Sequence, residues 1–217
     1  MKIYNQIAGL RIQRIEAISD GVFAIALTLL VLDIKVPLYN LAGSEVALMQ
    51  VLWNLAPSLV SYFLSFMTLG IYWSAHATQF HYIAKSDRHL TWINLFFLLF
   101  VSTIPFTTAF LSHFIAYKFA IGIYWLNIFI LGGILALHWQ YADKHRFVSL
   151  DEQDIVPVRN AIKKRIIEAQ TLYTLGALLC FISTSLSIIV LVLIQLNFAL
   201  ALVPRRRNPH SSAANIQ

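Results

Sequence analysis

Apolar positions along this chain come in long blocks separated by short polar breaks, and they do not alternate with polar ones as they would in half-buried strands. Several blocks reach the roughly 17–25 residues that a helix needs to cross a bilayer. Six spans are predicted, over 17–37, 46–74, 90–112, 118–142, 166–183 and 185–203. The last two share the stretch "EAQTLYTLGALLCFISTSLSIIVLVLIQLNFALALV", too long for one upright helix, which predicts a hairpin turning near "STS". Between the fourth and fifth spans, "DKHRFVSLDEQDIVPVRNAIKKR" (143–165) reads as the one substantial polar loop, becoming helical from Pro157. The terminal "PRRRNPHSSAANIQ" (204–217) reads as a basic, disordered tail. The expected architecture is an all-α membrane protein with a single six-helix domain over 1–203.

Composition strengthens that reading and charge orients it. With 59% hydrophobic and only 12% charged residues, a 217-residue chain has too little polar surface for a soluble domain. In the six-span arrangement every Lys and Arg except Lys35 and Lys118 falls on one face, including Lys163, Lys164 and Arg165 before the hairpin and Arg205, Arg206 and Arg207 after it. The positive-inside rule then places both termini in the cytoplasm of a multi-pass cell-membrane protein. The net charge of +6 finds its partner in the anionic inner leaflet, so nucleic acid is not needed to explain it. A basic start before an apolar run also resembles a secretory signal. Here Asp20 interrupts the run and no small-residue cleavage site follows, so the segment is expected to stay as the first helix. The single cysteine, Cys180, excludes an intrachain disulfide.

Catalytic chemistry finds no footing. Seven histidines invite a metal reading, and His76 and His81 lie five apart in "HATQFH". The others, His89, His113, His138, His145 and His210, are scattered over both faces and the tail, unlike the converging ligands of a membrane oxygenase. There is no Ser/His/Asp grouping, glycine-rich phosphate loop or pair of intramembrane aspartates. Neither an enzyme, a metal nor a cofactor is expected.

The first span carries more information. At about 100° per residue, Ile18, Val22, Ile25, Leu29 and Leu32 form one aliphatic stripe. Asp20 lies on the opposite side with Glu16, Phe23 and Leu27. Small or hydroxylated residues, Ala17, Gly21, Ala24 and Thr28, flank the stripe and suit close helix approach. An ionisable residue inside a span is costly unless paired or wet. By depth Asp20 meets the descending second helix near Trp73 and His76, predicting a polar cluster of Arg14, Ser19, Asp20, Trp73 and His76, with interfacial water as the alternative for Asp20.

The stretch "RIEAISDGVFAIALTLLVLDI" resembles the Arg-x-x-x-Phe-Ser-Asp signature that opens the first helix of the transmembrane protein 175 family, the lysosomal and bacterial potassium channels. Ile18 stands where the family usually has phenylalanine. "GIYWSAHATQF" and "FLLFVSTIPFTTAFL" are similar to the family's second and third helices, and the likeness covers most of the chain apart from the last two helices and the tail. The resemblance implies a six-helix subunit of a homotetramer whose first helices line a central pore; vertebrate members fuse two units and dimerise. It further implies that Ile25, five residues after the signature aspartate, forms the narrowest ring, with Leu29 and Leu32 as the next layers and Thr28 as the hydroxyl-bearing position.

Because the stripe is opposite Asp20, a stripe facing the fourfold axis turns Asp20 toward its own subunit. The chain has no "TVGYG", so no filter of carbonyls of that kind strips the permeant ion. The expected function is a K⁺-selective, leak-type channel in which aliphatic rings block ions by dewetting, with K⁺ favoured by its weaker hydration. Two rivals are a proton-permeable or weakly selective cation channel, with His76 or Asp20 as titratable groups, and a non-conducting membrane scaffold.

Overall fold

The computed structural model describes residues 11–35 and 44–200, whose regular elements are all helices apart from one isolated antiparallel bridge between Ile83 and Val148. The tail over 204–217, its arginines and the end of the span over 17–37 lie outside the described residues. The first helix, α1 (Ile12–Leu29), tightens into a 3-10 turn over Leu30–Asp33. Its buried residues Ile15, Ser19, Phe23 and Ala26 follow the three-to-four spacing of one helical face.

The span expected over 46–74 is two elements. A short helix α2 (Glu45–Asn54), capped by Ser44 accepting from the Ala47 amide at 3.2 Å, has no buried residue. A long helix α3 (Ala56–Tyr82) follows, with Pro57 in its first turn. Proline fits there because its missing N–H would be unsatisfied in any helix. The third span is likewise divided, into α4 (Arg88–Ser102) and α5 (Ile104–His113), with Pro105 in the first turn of α5. Asp87 caps α4 by accepting from the Leu90 amide at 2.8 Å and holds the Tyr141 hydroxyl at 2.7 Å. Helix α6 (Lys118–Lys144) matches the fourth span closely.

The expected loop over 143–165 is mostly helix. After a tight turn, α7 runs unbroken from Glu152 to Leu178, with Pro157 inside it and not at its start. A 3-10 turn over Leu179–Phe181 leads to α8 (Thr184–Leu200), so the hairpin turns beside "STS" as expected. Charged residues hid the first half of α7 from a hydropathy reading. Those charges dock it: Arg159 donates to both carboxylate oxygens of Asp143 on α6, at 2.5 and 2.8 Å, and Asp143 raises the guanidinium's already high pKa. At the other end of the bundle, Lys118 donates to the Phe181 carbonyl at 3.3 Å and fastens the hairpin turn to α6.

Helix α3 is the hub, packing on α1, α5 and α8, while α4 packs on α1 and α6, and α7 on α6 and α8. Four helical runs, Ile12–Asp33, Ala56–Tyr82, Arg88–His113 and Lys118–Lys144, are long and apolar enough to cross a membrane, and Thr184–Leu200 is a shorter apolar helix. Large hydrophobic side chains remain exposed around the bundle, among them Phe96, Leu99, Phe106, Phe129 and Leu193. A single-chain surface this apolar calls for lipid or protein partners.

Polar groups tie the interior together. Thr108 donates to Ser65 at 2.6 Å, the Tyr124 hydroxyl meets Thr68 at 3.0 Å, and Gln195 donates to Thr68 at 2.5 Å. Those contacts link α3, α5, α6 and α8 where no water competes, which is how polar side chains act as glue between membrane helices.

Candidate functional site

Helix α1 divides its residues by face. Ile15, Ser19, Phe23, Ala26 and Leu30 are buried against α3, α4 and α5. On the outward face Ile25 is 60% exposed, Leu29 43% and Leu32 66%, with Ile18 also exposed and Val22 half-buried. The aliphatic stripe is therefore the side of α1 that its own chain leaves uncovered. Leu32 sits in the 3-10 turn, not in the α-helical part, yet remains the most exposed of the three. Thr28 lies beside the stripe, its hydroxyl donating to the Ile25 carbonyl at 2.9 Å. The hydroxyl hydrogen is thereby committed to the backbone, leaving the oxygen's lone pairs facing outward.

Four of the five expected polar residues are engaged, in two separate hydrogen-bonded contacts: Asp20 with Trp73, and Ser19 with His76 through Asn94. Trp73 Nε1 donates to Asp20 Oδ1 at 2.8 Å, on the exposed flank of α1 beside α3. Asp20 itself is exposed, and its neighbour Ser19 is the residue that enters the core. Ser19 donates to the Ile15 carbonyl at 2.7 Å and accepts from Asn94 Nδ2 at 3.0 Å; Asn94 Oδ1 meets His76 Nε2 at 2.8 Å. Since the Asn94 amide nitrogen is donating to Ser19, its oxygen must be accepting, so His76 carries its proton on Nε2. Arg14 does not join: it is exposed and makes no side-chain hydrogen bond or ion pair among the described residues.

Sequence reasoning missed Asn94, Gln79 and His138. His76 stacks on Phe97, with centroids 5.1 Å apart and planes 3° from parallel, and lies 6.0 Å from the His138 ring. Gln79 donates to the Leu135 carbonyl at 3.0 Å and meets His138 Nδ1 at 2.9 Å, so His138 is protonated on Nδ1. Its Nε2 is buried without a partner among the described residues, as a neutral acceptor nitrogen can be. The available signal was a lone Asn inside "WINLFFLLF" and a His inside "ILALHW". Each is a polar residue in an apolar run, which a membrane helix keeps only when another helix satisfies it. No group of three or more His, Cys, Asp or Glu side chains gathers into a metal site among the described residues.

A bundle of apolar helices, tied by buried polar contacts and leaving one aliphatic stripe of its first helix uncovered, defines an integral membrane protein of the multi-helix class. The family described as "Endosomal/lysosomal potassium channel TMEM175" matches residues 14–105. A potassium channel of Streptomyces collinus is 34% identical over 197 residues, covering 88% of this chain and 93% of that protein. The crystal structure of a lysosomal potassium-selective channel TMEM175 homolog from Chamaesiphon minutus superposes with a TM-score of 0.73 at 32% identity, over 88% of this chain and 97% of that one. The human endosomal/lysosomal proton channel TMEM175 is 39% identical over 101 residues, which are 43% of this chain and 19% of the human one. The chain belongs to the TMEM175 family, a family of ion channels and not of enzymes.

Proposed function

We propose that this chain is one subunit of a homotetrameric, K⁺-selective leak channel in which Ile25, Leu29 and Leu32 of the four first helices form the constriction. The observation that carries the reading is the exposure of that stripe on the helix face opposite the buried Phe23 and Leu30. A face kept aliphatic, yet left uncovered by its own subunit, suits a pore closed by dewetting. Thr28 supplies lone pairs beside it for a passing cation or its water. Ser19, Asp20, Trp73 and His76, joined by Asn94, hold α1 at a fixed angle to α3 and α4 and so set the pore width, while Arg14 serves the interface with headgroups. Helices α7 and α8 complete the six spans over residues 1–203. The basic end, where Arg88, Lys144, Arg146 and Lys163 gather, faces the cytoplasm of the cell membrane together with both termini and the 204–217 tail.

The test is ion flux into liposomes. Ile25→Asn or Leu29→Asn lets water hold in the ring, so K⁺ flux is expected to rise on the order of tenfold, equivalent to ~1.4 kcal/mol off the barrier. Preference for K⁺ over Na⁺ falls at the same time. Unchanged flux and selectivity in both variants refute the constriction. A second reading, proton permeation, draws on the proton-channel relative, and a pH-sensitive dye inside the same liposomes separates it from K⁺ flux. A protein that passes neither ion is the scaffold.

A further inference from the structure

The third span backs the first helix in two pieces. Helix α4 holds the inner half of α1 through Asn94 and Ser19, at 3.0 Å, while α5 packs on α1 and on the 3-10 turn over Leu30–Asp33 that carries Leu32. Between the two pieces the helix is interrupted at Thr103, because Pro105 has no N–H to give the Val101 carbonyl one turn earlier. The angle between α4 and α5 therefore decides where the outer end of α1 is supported relative to its middle.

A break of this kind is a weak point unless something spans it, and Asn127 on α6 does. Its side chain is buried, and Nδ2 donates to the Thr103 hydroxyl at 3.1 Å and, at a longer 3.4 Å, to the Thr107 hydroxyl. Those hydroxyls stand four residues apart, one on each side of Pro105. Each gives its own hydrogen to the backbone, Thr103 to the Phe100 carbonyl at 2.9 Å and Thr107 to the Ile104 carbonyl at 3.0 Å. Their oxygens are left to accept, and the two hydrogens of one amide nitrogen match them. The Asn127 oxygen is buried without a partner among the described residues, so the nitrogen is the working end of the amide.

We propose that Asn127 is a positioning residue for the pore: by clasping both sides of the Pro105 break it fixes the angle between α4 and α5, and through α5 the place of Leu32 relative to Ile25. The proposal rests on the constriction read above from the exposed stripe of α1. Asn127 belongs to α6 and bonds to α5, so it acts on the pore through another helix and not by touching the ion.

The readout is the ratio of K⁺ to Na⁺ flux in liposomes, which a loss of stability alone does not move. Asn127→Leu keeps the volume and removes both donors. The ratio is expected to fall about threefold, the factor that one interhelical hydrogen bond of average strength is worth. Thr103→Val and Thr107→Val each remove one acceptor at nearly constant shape, so they carry the test if Asn127→Leu does not assemble; each lowers the ratio by less. Thr103→Val combined with Asn127→Leu adds nothing to Asn127→Leu alone, as expected of two changes to one bond. Trp125→Phe is the control: it removes a bond of the same kind from the same helix, Trp125 Nε1 to the Thr174 hydroxyl on α7 at 3.1 Å, and leaves the ratio unchanged. Leu32→Asn, run alongside, tests the pore itself. A fall with Leu32→Asn but with neither Asn127→Leu nor the threonine variants overturns the role of Asn127 and leaves the constriction standing, and no fall with any of them overturns both. An equal fall with Trp125→Phe marks a general loosening of α6 and also overturns the proposal.

Discussion

Asn94 is the smallest part on which the first helix depends. Its amide nitrogen donates to Ser19 on α1 and its amide oxygen accepts from His76 on α3, so one side chain of α4 fixes two neighbours. Replacing it with Leu keeps the volume and the apolar surroundings but orphans the His76 Nε2–H beside Phe97. An interhelical hydrogen bond in a membrane protein is worth about 0.6–2 kcal/mol. Asn94→Leu should therefore lower stability by about 1–3 kcal/mol, the penalty for a buried donor left unpaired. Thermal unfolding in detergent checks it, and a melting temperature equal to the wild type's would show that the bonds to Ser19 and His76 carry no weight. The sequence pointed to Ser19, Asp20, Trp73 and His76 because depth along two antiparallel helices can be counted from residue numbers. Asn94 escaped because counting gives depth and not rotation: which helix faces His76 is a property of the packed bundle.

At the level of elements, hydropathy located the membrane-crossing blocks and misplaced their breaks. Nothing charged separates Asn54 from Ala56 or Ser102 from Ile104, so a window average runs through both. The informative residues were Pro57 and Pro105, each in the first turn of a new helix. The opposite error arose in α7, where charge was read as loop although Arg159 and Asp143 use it to dock one helix on another. The close of α6 is a third case. Phe147 N–H bonds to the Ala142 carbonyl at 2.9 Å and Arg146 N–H to that of Asp143 at 3.1 Å, the paired bonds that end a helix through a left-handed residue. That residue is Arg146, with φ at 57°, where glycine is usual. A left-handed non-glycine residue costs about 1–2 kcal/mol. Arg146→Gly is expected to recover part of that, raising the unfolding midpoint, whereas the branched Arg146→Val lowers it. If both variants melted alike, the turn would not be holding strain.

For the whole molecule, the outward side of α1 must do two things in the proposed tetramer. Ile25, Leu29 and Leu32 would line the axis, and the small residues next to them, Ala17, Gly21, Ala24 and Thr28, which are exposed in the single chain, would take the contact with the adjoining first helix. Helices that converge on a narrow pore can approach only where side chains are small. Gly21 isolates that requirement from folding, since an added Cβ there meets nothing within 4 Å in the single chain. Leucine is also the better helix former, by up to about 1 kcal/mol. Gly21→Leu should thus leave the subunit as stable as before, or slightly more so, while breaking the contact between first helices. The expected result is a well-folded protein of normal helicity whose mass in detergent falls from four chains to one or two, with K⁺ flux lost in proportion. A variant that stays tetrameric and conducts normally would show that these small residues face lipid, and that the subunits meet elsewhere.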